Sequence, residues 1–148
     1  MKKTAIFLFI GIGVLALKFA DRQLKSSTPN DVATLASAVP SKSSNLILKL
    51  VQDERPMLAK KGKMHFVTFA IFRNDKSLLF QCPESFSHTH NVYAMWDHKD
   101  AVWVYSGDSG TTYWSRIDEA TWTGQYAIDL TNSPPAFILQ AQSGKLDD

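Results

Sequence analysis

The chain has one cysteine, Cys82, among its 148 residues. No internal disulfide can form, so any fold must be held by its own core. Charge of one sign is missing too, once the first twenty residues are set apart. Lys2, Lys3 and Lys18 belong to that stretch, and the other 13 of the 16 Lys and Arg face 14 Asp and Glu, a net of −1. A near-neutral surface offers no footprint for a phosphate backbone, which argues against nucleic acid as a partner. The sequence also lacks a glycine-rich phosphate loop, carboxylates paired at a recognisable spacing, and any Ser-x-x-Lys or Cys-His constellation. No cofactor is expected.

What is present begins with Met1-Lys2-Lys3 and the uncharged, largely apolar run 4–17. A positive start followed by a short apolar segment is the pattern of an export signal. A membrane-spanning helix wants ~20 apolar residues. Lys18 interrupts the run, and its ammonium can snorkel to the interface, so Phe19 and Ala20 extend it to a short span. Both a cleaved signal peptide and a retained signal anchor over residues 1–20 remain open. Either places the rest of the chain in the periplasm, with the inner membrane as its anchor in the second case. Residues 21–30 read as a polar tether and 31–148 as a single domain.

Pro29 and Asp31 look like a helix start, and Val32, Leu35, Ala36 and Val39 recur at helical spacing until Pro40. Leu46, Ile47, Leu50 and Val51 suggest a second helix ending before Pro56. From Met64 the period becomes two. Strands are expected over Met64–Phe72, Leu78–Cys82, Val92–Trp96, Val102–Tyr105, Thr111–Ile117 and Gln125–Leu130. Ser133 and Pro134 open a closing helix, with Phe137 and Ile138 facing inward. The expected class is therefore α+β: an N-terminal export or anchor helix, two short helices, a five- or six-stranded antiparallel meander and a short C-terminal helix.

Three features bear on chemistry. Gly107-Asp108-Ser109-Gly110 matches the letters around the nucleophile of chymotrypsin-like serine proteases, yet no upstream triad accompanies it, and the same letters make a hairpin turn. His88 and His90 share a face of an extended chain, and His98 follows, the only grouping that resembles a set of metal ligands. Trp103, Tyr105, Tyr113 and Trp114 stand in adjoining strands. Such rings either fill the second face of a two-sided sheet or form an aromatic recognition surface for a protein partner. Cys82, at the end of an apolar strand, reads as a small core filler.

Together these features point to an exported, non-catalytic binding protein of the bacterial envelope, such as an inhibitor or immunity protein against a toxin or lytic enzyme. The alternatives are a small metal-assisted hydrolase using His88, His90 and His98, and a small subunit of an envelope assembly.

Overall fold

A computed structural model of the chain describes residues 29–55, 65–127, 131–144 and 146. The export segment, most of the tether and residues 56–64 lie outside the described residues. Asn30–Asp147 form one unit.

The described residues form two antiparallel sheets and one short helix, not the two N-terminal helices and single meander expected of an α+β protein. The segment expected as a first helix is two short strands, β1 (Val32–Ala33) and β2 (Ala38–Pro40). Thr34 and Ser37 explain the difference. The Thr34 hydroxyl accepts the backbone N–H groups of Ala36 and Ser37 at 3.2 and 3.1 Å, and the Ser37 hydroxyl donates to the Val32 carbonyl at 3.1 Å. Side-chain oxygens that bond the local backbone replace the helical ladder with a turn.

The expected second helix is β3 (Leu46–Gln52). Its apolar residues fit either period, but Leu46, Leu48 and Leu50 are the buried ones, an alternation of two. The branched Ile47 and Val51 favour the extended backbone. Next come β4 (Phe66–Arg73), β5 (Leu78–Gln81) and β6 (Phe86–Ser87), then β7 (Val92–Trp96), β8 (Val102–Ser106), β9 (Gly110–Arg116) and β10 (Trp122–Tyr126). The last strand starts earlier than Gln125, because Trp122 belongs to the core and pairs with Arg116. Ile128 and Leu130 lie outside the described residues.

One sheet runs β1-β7-β8-β9-β10, and the other runs β2-β3-β4-β5 with β6 also on β4. Their facing sides enclose Leu48, Leu50, Phe69 and Ile71 from one sheet and Ala94, Val102, Val104, Trp114 and Trp122 from the other. Phe69 meets Trp114 edge-on, with ring centres 5.4 Å apart. A second apolar layer lies on the far side of the first sheet, where Val32, Met95, Trp103 and Tyr113 pack with Ile138 of α1 (Ala136–Gln142). The closing helix forms with Ile138 inward, but Pro135 rather than Ser133 is its N-cap residue.

Polar contacts tie the sheets together at one end. The Trp96 indole N–H donates to the Val39 carbonyl at 3.0 Å. Asp100, in the β7–β8 turn with φ at 55°, accepts hydroxyls from Ser41 (2.7 Å) and Ser43 in the β2–β3 loop. Burial alone would raise this carboxyl; the serine hydroxyls outweigh that and hold it below the ordinary aspartate value.

Candidate functional site

The aromatic set divides when the strands are placed. Trp103, Trp114 and Tyr113 are 1 %, 3 % and 7 % exposed, so of the two roles open to these rings the three take the core one. Alternation along β8 sends Val102 and Val104 between the sheets and Trp103 to the other side, under α1. Only Tyr105 stays half-buried; it stacks on Tyr93, ring centres 6.4 Å apart at 12°.

The histidines do not meet. His88 and His90 precede β7 and His98 follows it, so the five residues of that strand separate them by ~16 Å at ~3.3 Å per residue. Among the described residues no group of three or more His, Cys, Asp or Glu could hold a metal ion.

His90 instead pins two loops together. Its Nδ1 lies 2.6 Å from Asp108 Oδ1 and 3.1 Å from the Thr89 hydroxyl. A hydrolytic triad needs its carboxylate and hydroxyl on opposite imidazole nitrogens. Here both sit on the same one, and Nδ1–H donates to Asp108. Ser109 is an exposed turn residue, and no imidazole is at hydrogen-bonding distance from it. Residues 107–110 make the hairpin turn that the letters suggested, with Ser106 opposite Gly110. Gly110 has φ +80°, and a Cβ on Gly107 would lie 2.7 Å from His90 Cβ. Both positions require glycine.

Cys82 is fully buried, and its Sγ accepts the Glu84 N–H at 3.3 Å. Burial pushes the thiol up to about 12, so no thiolate nucleophile forms.

A recess of ≈ 500 Å³ opens at the stapled end beside the β7–β8 turn. Its floor is apolar (Met95, Trp96 and Trp103), and around it stand Asp31, Lys42, Asp97, His98, Lys99 and Asn132. These residues come from the start of β1, the β2–β3 loop, the β7–β8 turn and the approach to α1. Asp97 is fixed in place: its Oδ1 accepts the N–H groups of Lys99 and Ala101 at 2.7 and 3.0 Å. Behind it, burial raises the Tyr113 phenol, and the neighbouring Asp97 carboxylate, to which the phenol donates, raises it further. Asn132 donates to the same oxygen and lowers it in part. The result is a firmly held recess carrying both signs of charge. A smaller recess of ≈ 220 Å³, lined by His90, Tyr93, Tyr105 and Leu146 among others, lies at the opposite end of β7 and β8.

Reading the sequence missed this grouping, because its members are scattered from Asp31 to Asn132 with no motif spacing. It also missed the clasp of Arg55 on Asp53, in which the guanidinium further holds the carbonyls of Pro83 (2.7 Å) and Glu84 (3.3 Å). Comparison with models of protein families, with curated proteins and with solved structures finds no match for this chain.

Proposed function

We propose that this chain is an exported, non-catalytic binding protein of the bacterial envelope that engages a protein partner, as inhibitor and immunity proteins do. The address rests on Lys2, Lys3 and the apolar run 4–17. The observation that carries the binding role is the mixed-charge recess beside the β7–β8 turn. Its Asp97 is locked by two backbone N–H groups and Tyr113, and exposed Lys42, His98 and Lys99 surround it. A preorganised polar rim over an apolar floor suits a polar loop of another protein, because little side-chain freedom is lost on docking. The polar groups described above hold one another, and none is arranged as a nucleophile against a free base.

Two measurements test this reading. Alkaline phosphatase fused after residue 60 should be active; an inactive fusion in the cytoplasmic fraction removes the address. For the binding role, a photo-crosslinking amino acid at Lys99 in the native host should give one adduct of defined size. The same probe at Lys49, exposed on the other sheet, should give none. Equal yields at both positions, or none at Lys99, would remove the recess as the recognition surface.

A further inference from the structure

We propose that β10 pairs edge to edge with β10 of a second copy of this chain, antiparallel, about a two-fold axis at Gly124. The sheets have four edges, and three of them are blunted. β1 has only two residues. β2 ends in Pro40, which has no N–H to offer. The far edge of β4 is divided between β5 and β6, with a register shift at Ile71/Phe72. Short strands, prolines and irregular register are the devices that keep sheet edges from pairing.

β10 has none of them. Its five residues, Trp122-Thr123-Gly124-Gln125-Tyr126, pair with β9 without a shift and include no charge and no proline. Among the described residues nothing pairs with its outer side.

The backbone phase of that edge follows from one hydrogen bond. The Ile117 N–H donates to the Thr121 carbonyl at 2.9 Å, which makes 117 and 121 a hydrogen-bonded pair. Antiparallel pairs alternate, so Thr123 and Gln125 turn their backbone groups towards β9. Trp122, Gly124 and Tyr126 turn theirs outward.

That edge complements itself. With the axis at Gly124, Trp122 faces Tyr126 of the second copy, and Gly124 faces Gly124. Every outward N–H and C=O of the three residues then meets a partner. A residue on a two-fold axis meets its own copy, so a charge there would repel itself. Gly124 brings neither charge nor side chain, and Trp114 already fills the space where its Cβ would lie. Thr123 and Gln125, both exposed, come opposite each other in the close, non-hydrogen-bonded position.

The register is read by cysteine pairs. The native Cys82 is buried and protonated, so it does not compete. Full-length chains carrying Thr123→Cys and Gln125→Cys, with different tags, are co-expressed and mildly oxidised. The Thr123→Cys/Gln125→Cys dimer should dominate, since that pair falls within the separation a disulfide spans. Dimers of either variant with itself should be minor. Adding Tyr126→Pro, which removes an outward N–H and leaves the β9 ladder intact, should abolish the mixed dimer without moving the melting temperature far. Three outcomes would overturn the proposal: self-dimers as abundant as mixed ones, no dimer in any combination, or an adduct with a different protein instead of the second copy. The result stands apart from the recess, because a Lys99 adduct neither requires nor prevents it.

Discussion

Trp103 shows how one residue can bear on the whole fold. Fully enclosed beneath α1, it packs at 4.7 Å, centre to centre, on Tyr113. Trp103→Ala should cost ~3–5 kcal/mol, a large share of the ~5–15 kcal/mol that holds an ordinary domain together. A melting curve should show this directly, and a variant that melts like the parent would return Trp103 to the surface. Asp53 makes a different kind of contribution. The Arg55 guanidinium bonded to it, helped by the Ser85 hydroxyl, holds its carboxyl below the ordinary value against the opposing effect of burial. A folded value lower than the unfolded one stabilises above the unfolded value, ~3.9, and that contribution fades as pH falls through the folded value. The melting temperature should therefore drop on acidification below about pH 5, and less steeply in Asp53→Asn. Equal slopes in the two proteins would refute the assignment. Arg55→Ala, which leaves the carboxylate buried without its partner, should cost ~1–3 kcal/mol at neutral pH.

At the scale of elements, β3 offers the sharpest check on strand against helix. A helical stripe would bury Ile47 and leave Leu48 aside, whereas the strand fully encloses Leu48 and only half-buries Ile47. Leu48→Ala should then cost ~2–5 kcal/mol and Ile47→Ala clearly less, as read by denaturant titration. The reverse order would favour the helix. Gly124→Ala should also destabilise, by ~1–3 kcal/mol, because its methyl would fall 2.5 Å from Trp114 Cε2. The β4–β5, β7–β8 and β8–β9 hairpins were legible in the sequence, helped by turns such as Asn74-Asp75 and Gly107-Asp108, whereas β6 was not expected and β10 was placed three residues late. The first third was not legible. A seven-residue apolar run such as Leu46–Gln52 fits both periods, and what decides is the sheet it joins, a long-range fact. The aromatic residues were legible as members of adjoining strands, but the cover of Trp103 and Tyr113, α1, was legible only as a closing helix. Nothing local says which face such a helix will lie on.

For the whole molecule, the apolar residues sit in two layers, one between the sheets and one beneath α1. The seven-residue helix packs Ile138 against Met95, Trp103 and Tyr113 on that side. Ile138→Asp, which sets a carboxylate against that layer, should unfold the domain or expose its tryptophans, seen as a red shift of their fluorescence. A variant that keeps the parent spectrum and melting temperature would mean that the helix is dispensable. The recess was illegible for a reason that belongs to this scale: it exists only where loops from both sheets are tied together by Asp100 and Trp96.

The single thiol has a practical consequence. Cys82 follows β5 directly and is sealed in the layer between the sheets. An alkylating reagent can reach it only while the two sheets part. With no second cysteine to blur the signal, its rate of modification counts the openings of the sandwich. The protein therefore carries its own breathing clock, readable by mass spectrometry under native conditions and, for the full chain, in intact cells.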